Sequence, residues 1–202
     1  MNAVLRKFLR KLLYGKPIII VSGLPRSGTS MTMKMLDAAG VSIVTDALRT
    51  ADEDNPKGYF ELERVKDLEK ESDKSYLREA RGKAIKVISF LLKNLPSDNN
   101  YKILFMNRNL DEVLASQAKM LVRRGETSDT ADDKMKELWE NHLWQVKYQF
   151  KHQPNIEALE LHYKEVIENP GEQALRIARF LGGLEAAKMA GVVDEQLYRN
   201  RR

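Results

Sequence analysis

The stretch "PIIIVSGLPRSGTSMTMKML", residues 17–36, passes from an Ile/Val run through a glycine-bounded turn into a segment of helical period. A buried strand that feeds straight into a helix is the opening unit of a parallel sheet covered by helices. The same alternation recurs downstream. It predicts strands over 17–22, 41–45, 84–89, 102–107 and 156–161, and helices over 28–39, 61–72, 110–123 and 131–151. A last helix takes Asn169 as N-cap and Pro170 at its first position, and stops at Gly182 and Gly183. The expected fold class is α/β, three layers with a central parallel sheet flanked by helices. With 202 residues, 43% of them hydrophobic, the chain has material for one core, so residues 1–202 are read as a single domain.

Composition narrows the chemistry. The 34 Lys and Arg outnumber the 29 Asp and Glu, a net charge of +5 that favours anionic ligands. No cysteine is present, and His142, His152 and His162 are too sparse for a metal-ligand motif, so no metal is expected. No apolar stretch nears the ~20 residues of a membrane span, and the expected compartment is the cytoplasm. Residues 1–16 form a basic amphipathic helix, with Val4, Leu5, Phe8, Leu9, Leu12 and Leu13 on one stripe. Such a helix docks on its own domain or lies on a membrane surface. There is no basic stripe interleaved with aromatics, so nucleic acid is not an expected partner.

In open sheets ligands bind beyond the carboxyl ends of the strands. At the first such end, "GLPRSGTS" nearly matches the phosphate-loop pattern G-x-x-x-x-G-K-S/T, with Gly23, Gly28 and Ser30 in register and Thr29 where the lysine belongs. A glycine-bounded turn into a helix aims backbone N–H groups and the helix dipole at one anion. The expected architecture is therefore P-loop-like, without the lysine that serves a nucleoside triphosphate.

These residues resemble the sulfotransferase family, nearest to its bacterial small-molecule and tyrosylprotein branches, whose loop reads P-R/K-S-G-T-T/S. The resemblance implies that Pro25, Arg26, Ser27, Gly28, Thr29 and Ser30 bind the donor 3′-phosphoadenosine 5′-phosphosulfate. Arg26 would neutralise the transferring sulfonate and its bridging oxygen. A second motif, "KILFMNRNLDEVLASQ", is similar to the family's strand-R-x-x-x-D/E-x-x-x-S, which implies that Arg108 and Ser116 hold the donor's 3′-phosphate. Guanidinium suits that task because it stays charged and presents a fork of donors. The segment "LHYKEVIENPGEQALRIARFLG" resembles the family's closing strand and helix, a structural element.

Sulfonyl transfer to a hydroxyl or amine needs a base and cations for the developing charge. Counted from the loop arginine, Asp46 falls where the tyrosylprotein branch carries its glutamate base and Arg49 near one of its arginines; Asp52, Glu53 and Asp54 compete with Asp46. Lys86, in the otherwise apolar "AIKVIS", is expected to donate to sulfonate oxygens, and His142 to pack rather than catalyse. The acceptor, a small molecule, carbohydrate or lipid, is not identified by the sequence; Tyr59, Phe60, Trp139 and Trp144 line its pocket or belong to the core. The polar stretch 123–133 reads as a loop and "LYRNRR" as a solvated tail. A P-loop kinase or a non-enzymatic nucleotide-binding module would use the same fold.

Overall fold

The computed structural model describes residues 3–46, 60–126 and 130–194. Four strands, β1 (Ile18–Gly23), β2 (Ala84–Lys86), β3 (Tyr101–Asn107) and β4 (Ile156–His162), form one parallel sheet in the order β2-β1-β3-β4. Around it lie α1 (Ala3–Tyr14), α2 (Thr29–Ala38), α3 (Leu110–Arg124), α4 (Asp132–His152), α5 (Tyr163–Glu168), α6 (Pro170–Leu181) and α7 (Ala186–Ala190).

Period-two alternation splits the strand side chains between two cores. Val21, Leu104, Met106 and Leu161 pack under Met33, Leu36, Ile177 and Met189 of α2, α6 and α7. On the opposite face Ile18, Ile20, Ile103 and Phe105 meet Val146 of α4 and Leu77 and Leu92 from short 3₁₀ turns. Both sheet faces are covered, which is why β1 and β3 are unbroken apolar runs and why three layers result. Each fully buried Ile or Leu stabilises the fold by about 1.5–3 kcal/mol.

The chain leaves β1 toward β2 on one side, and leaves β3 toward β4 on the other. That reversal opens a crevice between the carboxyl ends of β1 and β3. It is the place where the loop after Gly23 and the arginine after Asn107 come together.

Three expectations are corrected. Segment 41–45 is not a full strand but a single parallel bridge, Ile43 to Ala84. Its ends are committed elsewhere: the Val41 N–H closes α2 on the Leu36 carbonyl, and the Thr45 hydroxyl donates to the Glu61 carbonyl at 2.8 Å. The helix expected over 61–72 is one 3₁₀ turn, Glu63–Asp67, whose buried residue Val65 shares a three-residue spacing with buried Leu68. The strand expected over 84–89 ends at Lys86, and Ser89 begins another 3₁₀ turn, Ser89–Asn94.

The N-terminal helix forms, and what docks it is a charge. The buried Arg10 guanidinium donates to Asn100 Oδ1 (2.7 Å) and to the carbonyls of Tyr101 (3.0 Å) and Asn155 (3.1 Å), at the amino ends of β3 and β4. Leu12 and Leu13, from the expected apolar stripe, are exposed. Among the described residues no helix is long and apolar enough to cross a membrane.

Candidate active site

The loop between β1 and α2 is shaped by two glycines. A Cβ on Gly23 (φ +155°) would stand 2.4 Å from Ser27 Oγ and 2.6 Å from the Met106 carbonyl oxygen. One on Gly28 (φ +101°) would lie 2.5 Å from Cδ2 of Tyr163. Neither space exists, so the backbone turns there only because the side chains are missing. Arg26, at the crest, also has positive φ (67°), a conformation uncommon for a residue with a Cβ. The Ser27 Oγ is buried with no hydrogen-bond partner among the described residues, just ahead of the N-terminus of α2 at Thr29. A buried hydroxyl in such a place is a donor waiting for an anion.

The α3 side of the crevice holds three of the expected residues together. Arg26 Nε donates to Ser116 Oγ at 3.0 Å, and Arg108 Nη1 donates to the Arg26 carbonyl at 3.0 Å. The loop crest, the end of β3 and the second turn of α3 are thereby tied into one unit. Arg108 also donates through Nε to Glu112 Oε2 at 2.9 Å, and its guanidinium sits 4.2 Å from the centre of the Tyr163 ring. Both members of that ion pair are buried, with side chains 7% and 3% exposed. Asn109 caps α3 by accepting from the N–H groups of Asp111 and Glu112, which fixes Glu112 in the first turn beside Arg108.

The β2 side presents a second cation. Lys86 Nζ lies 3.3 Å from Ser30 Oγ and 2.9 Å from Glu61 Oε1, so the strand lysine does face the loop. Asp46 is differently occupied: its Oδ2 accepts from the Glu63 backbone N–H at 2.6 Å, at the start of the 3₁₀ turn. Arg49, Asp52, Glu53, Asp54 and Tyr59, together with the tail from residue 195, lie outside the described residues.

His142 stacks on Phe90, with ring centroids 4.1 Å apart, and its Nε2 is 2.9 Å from Ser89 Oγ. Burial, with help from Lys93, holds its pKa below the ordinary histidine value. Trp139 is core, packed with Leu24 and Val113, whereas Trp144 is exposed and stacked on Tyr148. Among the described residues no group of His, Asp and Glu side chains could hold a metal ion.

Sequence reasoning missed three residues here. Glu112 stands at the D/E place of the second motif, four positions after Arg108, but carried no role there. Tyr163 was signalled as the residue just past an apolar strand, and Glu61 as an acid directly after the aromatic pair Tyr59 and Phe60.

Solved structures share this architecture. The sulfotransferase domain from the curacin biosynthetic pathway superposes with a TM-score of 0.53 at 13% identity, over 86% of this chain and 76% of that one. The sulfotransferase domain of the Synechococcus PCC 7002 olefin synthase gives 0.53 at 15% identity, over 92% and 83%. A mouse sulfotransferase complexed with PAP gives 0.52 at 16% identity, over 100% and 74%. No curated protein matches the chain. The family model of the sulfotransferase domain matches residues 16–199, nearly the whole length, and with the loop, the strand-end arginine and the parallel sheet in place the chain belongs to the sulfotransferase family.

Proposed function

We propose that this chain transfers a sulfonate group from 3′-phosphoadenosine 5′-phosphosulfate to a hydroxyl or amine of a small-molecule, carbohydrate or lipid acceptor, without a metal. The observation that carries the reading is the buried Ser27 hydroxyl, without a hydrogen-bond partner among the described residues, inside a glycine-bounded turn at a helix N-terminus, with Arg26, Arg108 and Ser116 bonded together at its edge. This donor set fits a ligand with anionic groups at two ends. The mouse relative solved with PAP supports the same choice of ligand class.

When bound, the donor supplies an activated sulfonate on a phosphate leaving group. The chain's own residues bind and orient it. The N–H groups from Gly28 to Ser30 and the Ser27 and Ser30 hydroxyls take the 5′ end, and Arg108 with Ser116 takes the 3′-phosphate. Arg26 and Lys86 approach the loop from opposite sides, and two cations flanking a group that gains charge favour its transition state over its ground state.

Titration of the full chain with adenosine 3′,5′-bisphosphate, followed by calorimetry with Mg-ATP and AMP as controls, tests the reading. Micromolar binding of the bisphosphate that is indifferent to Mg is the expected result. Preference for Mg-ATP would turn the assignment toward a P-loop kinase.

A further inference from the structure

The charges of this chain are unevenly placed. Residues 1–16 contain Arg6, Lys7, Arg10, Lys11 and Lys16 and no acid, so the whole net charge of +5 belongs to this segment, and the 29 Lys and Arg that follow balance the 29 Asp and Glu. The same segment supplies α1, whose rotation about its own axis is fixed by its anchor. Arg10 is buried against Asn100, Tyr101 and Asn155. At 3.6 residues per turn, Leu12 stands about 200° round the helix from Arg10, on the side turned away from the sheet. Leu12 is 71% exposed and Leu13 69%, although leucine is among the residues most often buried. In sequence Leu5, Phe8 and Leu12 repeat at the spacing of a single helix face, so by register they belong to the face opposite the anchor. Cations accompany that face. Lys11 and Lys16 are exposed, and Lys16 runs beside the turn at Gly82, where a Cβ would meet its Cδ at 3.9 Å, next to exposed Lys83. Glu157, the acid at the anchor, is paired with Arg10 at 3.4 Å.

We propose that α1 holds this protein on an anionic lipid bilayer, with Leu12 and Leu13 entering the headgroup boundary and Lys11 and Lys16 at the lipid phosphates. An anionic bilayer answers both properties of the segment at once, the apolar face and the unbalanced positive charge. A second copy packed stripe to stripe fits less well, because it would set five cations against five. The anchor of α1 lies at the amino ends of β3 and β4, whereas the crevice opens at the carboxyl ends of β1 and β3, roughly 20 Å away, the length of the seven-residue β3. The contact therefore fixes the protein on a surface and leaves the crevice open to water. It stands or falls independently of the sulfotransferase reading.

Sedimentation of the full chain with phosphatidylcholine vesicles, and with vesicles of equal parts phosphatidylcholine and phosphatidylserine, tests the proposal. Wild type should bind the mixed vesicles, bind phosphatidylcholine alone at least about 10-fold more weakly, and lose affinity as salt is raised. Leu12→Ser with Leu13→Ser should melt with wild type, since both side chains are exposed, yet bind the mixed vesicles at least about 10-fold more weakly. Lys11→Glu with Lys16→Glu should weaken binding on the same scale. No binding of wild type to the mixed vesicles overturns the proposal. So does binding that the lysine pair abolishes and the leucine pair leaves intact, which is adsorption by charge alone. Sedimentation velocity decides between a bilayer and a second copy: a concentration-dependent dimer of wild type that Leu12→Ser with Leu13→Ser dissolves means that another chain covers the face, and overturns the proposal too.

Discussion

Arg108→Ala separates the two tasks assigned to that arginine. Sequence alone suggests that the change spares the fold and removes only a phosphate ligand. Burial says otherwise. Glu112, 2.9 Å from Arg108 Nε and with a side chain 3% exposed, would be left as a charge in nearly dry surroundings. Breaking one half of such a buried pair costs about 3–5 kcal/mol. At 2–4 °C per kcal/mol for a domain of this size, the melting temperature should fall by roughly 6–20 °C. Removing both charges is different. Arg108→Met combined with Glu112→Leu substitutes apolar groups of similar volume, and such replacements are neutral or stabilising in many proteins, so the double variant should recover most of the loss. Donor binding should not recover. A hydrogen bond to a charged group is worth about 1.5–3 kcal/mol, so the affinity for adenosine 3′,5′-bisphosphate should fall on the order of 10–100-fold in single and double variants alike. Scanning calorimetry and titration of the three proteins decide the matter. A single variant that melts with wild type refutes the burial argument, and a double variant that binds like wild type removes Arg108 from the donor site.

Ser27→Ala deletes a hydroxyl that is buried without a partner among the described residues, so unfolding in denaturant should show unchanged or higher stability, by up to about 1 kcal/mol, while bisphosphate affinity falls. Equal affinity would mean that the hydroxyl does not face the ligand. Gly28→Ala forces a Cβ to within 2.5 Å of the Tyr163 ring at a φ of +101°, and should cost about 1–3 kcal/mol in the same assay together with most of the binding. A native-like melt and affinity would show that the loop and Tyr163 yield easily. For His142, burial lowers the folded pKa below 6.5, so the unfolded chain takes the proton first as pH drops. Its contribution to stability is complete above about pH 6.5 and is lost below it. His142→Gln should therefore flatten the decline of melting temperature on the acid side, and an unaltered slope would refute the assignment.

What the sequence disclosed and what it hid follow from how each feature is encoded. The loop from Gly23 to Ser30, the arginine at Arg108 and the helices α3, α4 and α6 were readable because strand, turn and helix succeed one another within a few residues, and each junction has its own local chemistry. Hydrophobic alternation likewise marked β1, β3 and β4. Segment 41–45 misled because its apolar residues satisfy the same pattern, while its outer hydrogen bonds go to Leu36 and Glu61 instead of to a neighbouring strand. Arg10 misled in the other direction: a charged residue on the polar side of an amphipathic helix became its anchor, because three acceptors at the amino ends of β3 and β4 happen to converge on it.

The carboxylates show the limit most sharply. Asp46 was chosen by counting positions from the loop arginine, and counting works only while the intervening backbone keeps one conformation. Thr45 and Asp46 bond to residues 61–63, a contact that no count along the chain reports. Glu61, fifteen positions later in sequence, has its carboxylate 2.9 Å from the Lys86 ammonium. An ion pair such as Lys86 with Glu61 is specified by where two strand ends come together in space, and no local periodicity reports it. The same reasoning explains why Arg26 and Ser116, ninety positions apart, could be assigned to one ligand by motif but only the fold could reveal that they bond to each other. The loop crest is tied to α3 through Ser116 while the Lys86 ammonium at the end of β2 lies 3.3 Å from Ser30 Oγ, so elements far apart in sequence meet at one turn only through the fold.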